Sequence, residues 1–495
     1  MSLDTKNLET VAPAPRRPGT RAGAVIALLV IAAFVVILNE TIMGVALPRL
    51  MDDLSITAST AQWLTTGFLL TMAVVIPLAG YLLQRFPLKA VFVTAMSLFS
   101  LGTLIAALSP GFEVLVVGRV VQASGTALMM PLLMTTVLSA VPAAKRGRMM
   151  GVISVVIAVA PAVGPTLSGL ILSVLDWRWL FWLVLPIALS SLVLGAVWVR
   201  NITETKHARF DVLSVALSAL GFGGLIFGLS SLGESASGHV LVPVWIPLGV
   251  GAVSLVTFVA RQLQLQKADA ALLDLRTFRS RAFSLAVVLM IIVMATLFGS
   301  LILLPIYLQQ ALGLNVLTVG LMLLPGGILM GLIAPLVGAL FDRFGPTPLV
   351  IPGMAVVAAA LWGMTTFDSG TTVAWVIVVH LILNLGLGFV LTPLLTSGLG
   401  SLPGSLYSHG SAIVGTLQQV AGAAGTALFI TLMSVGVASA AQNGESPIQA
   451  TVAGVHTAFL TGACIASAGV LLTFLVRKPA IDPTQSSRTE RISPH

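Results

Sequence analysis

The chain is poor in charge and almost devoid of cysteine, and each shortage removes a class of protein from consideration. Only 8% of its 495 residues are charged, against about a quarter in soluble globular domains, so a water-soluble enzyme or binding module is excluded. A single cysteine, Cys464, permits no intrachain disulfide. No lysine follows a glycine, so the phosphate-binding loop of an ATP-driven machine cannot be written. The N-terminal stretch has no short apolar core with a small-residue cleavage site. Residues 1–22, with Pro13, Pro15, Arg16, Arg17, Pro18 and Arg21, are expected to be a disordered basic tail, as are residues 479–495. The net charge of +8 is spread over many short loops and makes no basic patch, which excludes nucleic acid as a partner.

What the chain has in quantity is long apolar runs. The hydrophobic fraction is 57% and the mean hydropathy +1.04, and segments longer than about 18 residues, enough to cross ~30 Å of hydrocarbon, recur throughout. None shows the ten-residue alternation of barrel strands. The expected fold is all-α and integral to the membrane, with fourteen transmembrane helices. All 25 basic residues except Arg49, Arg119 and Arg178 fall in the tails or alternate loops assigned to the inside. By the positive-inside asymmetry both termini are expected in the cytoplasm, as in a multi-pass protein of a bacterial inner membrane.

Four anchors repeat in order at offsets of 257 to 261 residues: Arg21-Ala22 with Arg281-Ala282, Pro48 with Pro305, the stretch from Gly80 to Phe86 with that from Gly338 to Phe344, and Arg119 and Gly125 with His380 and Gly386. Such repeats are characteristic of transporters built from two related parts. The expected division is a six-helix half over 23–199, an inserted helix pair with its linkers over 200–282, and a second six-helix half over 283–478. The inserted pair has no ionisable residue in its apolar cores and reads as a lipid-facing packing element.

Against this apolar background one carboxylate stands out. Glu40 lies deep in the first apolar segment, where insertion scales charge roughly +2.5 to +3.5 kcal/mol for an acid at the helix centre; such residues are retained for work. With the first span ending near Pro48, Glu40 lies about eight residues, or ~12 Å, below the outer surface. Arg119, about seven residues into the fourth span, lies ~10 Å below the same surface. The two charges share a depth, and the alternatives are a proton-coupling pair that separates during a cycle or a permanent structural ion pair. Arg119 could equally cap backbone carbonyls of a broken helix. His380, with Asn384 one turn on, reads either as a packed neutral imidazole or as a second polar site. Met43, Met129, Met130 and Met134 offer either ordinary packing or an adaptable cavity lining. Trp63 reads as an interface anchor.

These residues resemble the major facilitator superfamily, in its fourteen-helix drug:proton antiporter branch, over residues 20 to 478. Gly80 to Lys89 and Gly338 to Gly345 are similar to the two copies of the family's gating loop. Leu115 to Gly125, with Arg119, Gln122 and Gly125, is similar to the fourth-helix motif, and Gly151 to Gly169, with Pro161, Gly164 and Pro165, to the fifth-helix antiporter motif. Leu38 to Pro48 is similar to the first-helix signature. Departures are visible: Gln84 stands where the gate's acid is usual, Pro87 where glycine is usual, and Asn39 where the first helix usually has aspartate, with the acid shifted to Glu40. That Leu-Asn-Glu-Thr variant resembles the lincomycin-resistance-like subgroup.

The resemblance implies a transporter that exports amphipathic, cationic or zwitterionic drugs or metabolites in exchange for protons, without a cofactor or metal, working as a monomer in the bilayer. It implies proton coupling at Glu40 and Arg119, a cavity drawing on Asn39, Met43, Gln122, Met129, His380 and Asn384, and gating by Arg85, Asp342, Arg343, Pro161, Gly164 and Pro165. A dedicated carrier of one metabolite is the alternative on the same fold. An intramembrane enzyme is remote, because the interior offers only Glu40, Arg119 and His380, in three different helices. The charge asymmetry makes a direct prediction: a fluorescent reporter fused after His495 should glow in cells, whereas a reporter active only outside the inner membrane should be silent there. The opposite pattern would end the fourteen-span reading.

Overall fold

The computed structural model of the chain describes residues 21–56, 58–199, 201, 211–235 and 242–476. The expected tails therefore lie outside the described residues, except that Arg21 and Ala22 already open the first helix. In chain order the helices are α1 (Arg21–Leu54), α2 (Ala58–Arg85), α3 (Leu88–Ala107), α4 (Phe112–Ala140), α5 (Arg146–Val174), α6 (Trp179–Trp182), α7 (Val184–Trp198), α8 (Val212–Ser235), α9 (Trp245–Leu265), α10 (Arg281–Gln310), α11 (Val316–Phe344), α12 (Thr347–Met364), α13 (Val373–Gly400), α14 (Tyr407–Gln442) and α15 (Pro447–Thr473). No strand occurs among the described residues. Helices α6 and α7 together make one span, Trp179–Trp198, so fourteen segments are long and apolar enough to cross a membrane.

Local chemistry sets several ends. The Ser280 hydroxyl accepts from Phe283 N–H at the start of α10, and Asn315 accepts from Thr318 N–H ahead of α11. Ser446 and Gln449 form a reciprocal capping box on α15. Gly345, with φ of 82°, stops α11 where a side chain would be strained. Proline stops less than expected. The first helix continues through position 48 to Leu54, so Glu40 stands fourteen residues from its end instead of eight. Pro77, Pro131, Pro305 and Pro393 also sit inside helices, as bundles allow when neighbouring helices re-satisfy the freed carbonyl.

The bundle's exterior is apolar: Leu332 is 74% exposed, Val256 72% and Leu471 71%, a surface only a bilayer would cover. Within the bundle, α3 lies on α4, α12 on α13 and α15, and α10 on α14. The group α1–α7 meets the group α10–α15 chiefly along α5 with α11 and α2 with α14. Arg85, Lys145, Arg146 and Arg343 gather at one end of the bundle, hereafter its basic end.

Helix α8 packs on both α2 and α14, while α9 covers α8 and shows Val253 and Val256 outward. The pair is tied at the basic end by a bidentate ion pair, Arg261 Nε to Asp211 Oδ2 at 2.7 Å and Nη2 to Oδ1 at 2.9 Å. That hydrogen bonding holds the Asp211 carboxyl down at about 2. Beside it, buried Gln262 donates to Ser214 Oγ and accepts from Leu272 N–H, both at 2.7 Å, anchoring the linker that leads to α10. Trp63 of α2 meets Phe227 of α8 with ring centroids 5.8 Å apart. It therefore packs on the pair as well as edging the surface.

The seam between α5 and α11 admits no side chain at its basic end. A Cβ on Gly147 would lie 2.5 Å from both Gly338 O and Asp342 Oδ1, and one on Gly338 would strike the Gly147 carbonyl and stand 3.0 Å from Arg148 Cα. Gly338→Val should therefore hold this end apart. With Cys464 replaced by serine and a cysteine put in place of buried Ser154, maleimide should label the Gly338→Val protein many times faster than the protein with Gly338. Equal rates would show that the seam opens freely without needing the glycine.

Candidate functional site

Two pseudo-equivalent helix ends close the basic end. The Asp342 carboxylate, at the C-terminal turn of α11, accepts from Gly147 N–H at 2.7 Å and Arg148 N–H at 2.9 Å. These are first-turn amides of α5, which have no partner inside their own helix and carry its positive dipole end; an acid is the natural group to meet them. At the matching place 258 residues earlier, Gln84 of α2 donates to Ser408 Oγ at 3.0 Å and Ser405 O at 3.4 Å, at the start of α14. The contact is the same in outline, but neutral. Arg146 adds a bond from Nη1 to Tyr407 Oη at 2.9 Å and one from Nη2 to Leu138 O at 2.7 Å. Deeper in, Thr392 of α13 donates to Ser154 Oγ of α5 at 2.7 Å, both buried. These bonds all lie between the basic end and Glu40, whose neighbour Thr41 reaches Ala160 O of α5.

At the centre the geometry departs from the expected pair. Arg119 is 1% exposed, and its Nη1 donates to Asn39 Oδ1 at 3.0 Å and Gln122 Oε1 at 2.7 Å. Gln122 in turn donates to Thr103 Oγ1 at 2.7 Å, and the Arg119 guanidinium lies 4.1 Å over the Phe68 ring. No ion pair joins Arg119 to Glu40. Successive helix residues point about 100° apart, so Asn39 turns to α4 and takes the arginine while Glu40 turns toward Gln419 of α14. The two charges remain electrostatic neighbours without touching. Arg119 Nε and Asn39 Nδ2 are left buried with no hydrogen-bond partner among the described residues.

Other expected site residues are distributed unevenly. Met43 and Met129 are 1% and 0% exposed and belong to packed cores in this arrangement. Asn39 and Gln122 serve the arginine. His380 and Asn384 do come together: Asn384 Nδ2 donates to His380 O at 2.9 Å, His380 Nε2 lies 3.2 Å from Leu323 O, and both side chains pack on Gly326 of α11. Gly164 gives α5 its close approach to Thr41, next to Glu40. Pro161 and Pro165 lie within α5, which runs through both positions as helix; the Pro165 side chain is outside the described residues. Arg343 is exposed beside the Phe344 ring, and Arg85 is half-buried at the end of α2. Among the described residues no three His, Cys, Asp or Glu side chains gather as a metal site would require.

Sequence reading passed over Ser154, Thr392, Gln418 and Gln419. The adjacent glutamines in the apolar α14 were the available signal, since an uncharged amide in a membrane helix needs a partner as much as a charge does.

The sequence profile described as Major Facilitator Superfamily matches residues 29–426. The lincomycin resistance protein LmrB of Listeria monocytogenes is 44% identical over 459 residues, covering 92% of this chain and 96% of that protein. LmrB of Bacillus subtilis is 41% identical over 460 residues, covering 92% and 95%. Among solved structures, the human organic anion transporter MFSD10 (TETRAN) superposes with a TM-score of 0.66 at 13% identity, over 91% of this chain and 99% of that one, a likeness of fold.

The two helix-end contacts predict unequal consequences. Asp342→Asn converts a charge-assisted bond to a neutral one and should weaken closure by about 1–2 kcal/mol. Gln84→Ala removes a neutral bond and should cost about half as much. Labelling of a cysteine at position 154 reads both: equal, small effects would show that the helix-end contacts do not hold the seam.

Proposed function

Because this chain belongs to the major facilitator superfamily, a family of membrane transporters and not of enzymes, we propose that it is a drug exporter that exchanges its substrate for protons. We place the basic end at the cytoplasm and assign the two groups α1–α7 and α10–α15 the role of halves that rock about the centre. The observation that carries the reading is Glu40, a carboxylate in the bilayer interior that faces Gln419 of the other group and has no ion-pair partner among the described residues, beside a buried arginine held by neutral groups. An intramembrane acid of this kind marks a proton pathway.

The closed basic end supports alternation. Asp342, Gln84 and Arg146 hold it with bonds that water can replace, and the Ser154 to Thr392 bond is the last before the centre. In the proposed cycle an outward-facing arrangement exposes Glu40 to the far side, where protons are in excess. Protonation removes the charge that faces Gln419, and loss of that proton to the cytoplasm after rearrangement completes the exchange. Arg119 is assigned a fixed positive charge beside Glu40, held in place by Asn39 and Gln122. The driving force is adequate, since one charge moved across 100 mV yields about 2.3 kcal/mol and each pH unit about 1.4. No cofactor enters this scheme, and one chain holds the whole site. The LmrB relatives, named for lincomycin resistance, support amphipathic drugs as the cargo.

The test is Glu40→Gln, which mimics the protonated acid. It should insert normally, because removing an intramembrane charge lowers the insertion cost. It should lose uphill export, and its residual substrate binding should lose its pH dependence. Glu40→Asp should keep part of the activity. Proton release on adding lincomycin to weakly buffered purified protein should be clear in the wild type and absent in the Gln variant. Uphill pumping by the Gln variant with unchanged pH dependence would make Glu40 structural.

A further inference from the structure

On the basic-end side of Glu40 lies a small enclosed void that the scheme above does not use. It is bounded by Ser154 of α5, Met294 of α10, Met330 of α11, Thr392 of α13 and Gln418 of α14. Its walls come from both groups of helices that meet at the seam. Gln418 is half-buried, and among the described residues its amide nitrogen finds only the Met290 thioether, at 3.7 Å. A thioether is a weak acceptor, so the amide's hydrogen-bonding capacity is poorly used. The two hydroxyls opposite are occupied with each other. Next along the helix, Gln419 turns the other way, to Glu40.

Opening the basic end must part α5 from α13 and break the Ser154 to Thr392 bond. Two hydroxyls and an amide then face one widened space between two methionines. Three neutral hydrogen-bonding groups recognise hydroxyls and amides, and flexible thioethers adapt to varied apolar shapes. They offer nothing specific to a cation.

We propose that this void is the collapsed form of a substrate subsite, and that Gln418 is its specificity-determining residue, selecting amphiphiles that carry hydroxyl or amide groups over cations that lack them. The inference rests on the transport reading for its biological setting, but its binding chemistry stands apart from proton coupling.

The experiment compares wild type with Gln418→Met, which keeps the length of the side chain and removes its amide. Purified proteins are dialysed to equilibrium against lincomycin, chloramphenicol and erythromycin, which bear hydroxyls, and against tetraphenylphosphonium, a cation with no hydrogen-bonding atoms. Dissociation constants for the hydroxyl-bearing ligands should rise about tenfold, the loss expected for one well-made hydrogen bond. That for tetraphenylphosphonium should stay within about twofold. Thr392→Val, which removes a hydroxyl from the opposite wall, should give the same selective pattern and serves should Gln418→Met misfold. Unselective weakening, no weakening, or failure of the wild type to bind any of the hydroxyl-bearing ligands overturns the proposal. Export in energised vesicles separates the two ideas: selective binding without uphill export overturns the transport reading alone, and export without selectivity at Gln418 overturns this one alone.

Discussion

The structure depends on how closely α5 and α11 can approach. Where Gly147 and Gly338 oppose each other, backbone lies against backbone, and this proximity brings the first-turn amides of α5 within reach of Asp342. A membrane interior supplies no hydrophobic drive for helices to associate, so close packing and internal hydrogen bonds must do it. A single methyl at either glycine removes both at once. The acid at the end of α11 and the glycine at the start of α5 are therefore one device, and neither residue explains the contact alone.

The same logic sorts the polar residues of the interior. Some satisfy one another, as Gln122 satisfies Arg119 and Thr103. Arg119 is unusual in having its charge met by amide oxygens and the Phe68 face, without a carboxylate in contact. A buried cation answered in this way is stable only with a strong local arrangement of dipoles. The network fixes the position of the charge rather than cancelling it, and Glu40 feels the remainder.

Much of this was legible in the sequence. The fourteen spans follow from apolar run length, and the two matching helix ends from repeated glycine and arginine spacing. The expensive acid announced itself by composition alone. Rotation about the helix axis was the missing quantity. Glu40 and Arg119 could be placed at similar depth, but a one-residue difference decides which side chain meets the arginine, and Asn39 holds that register. The end of α1 was misread because Pro48 is a stop signal in water and a tolerated residue in a bundle. Met43 and Met129 show a related limit: residue type gives adaptability, and only packing gives the direction in which it is offered. Gln418 and Gln419 carry no charge, so a search for costly groups passed them by.

Helix α8 lies against α2 and α14 together, two helices from opposite groups. A strip glued across a crack cannot follow both edges when the crack widens. Were α2 and α14 to part at the basic end, α8 would have to peel from one of them, bend, or travel with both by tilting. Its anchor at the Asp211 to Arg261 pair and the Gln262 staple stiffens the end where the widening is greatest. The inserted pair thus lies over the seam's flank where it would restrain any hinging of the two groups.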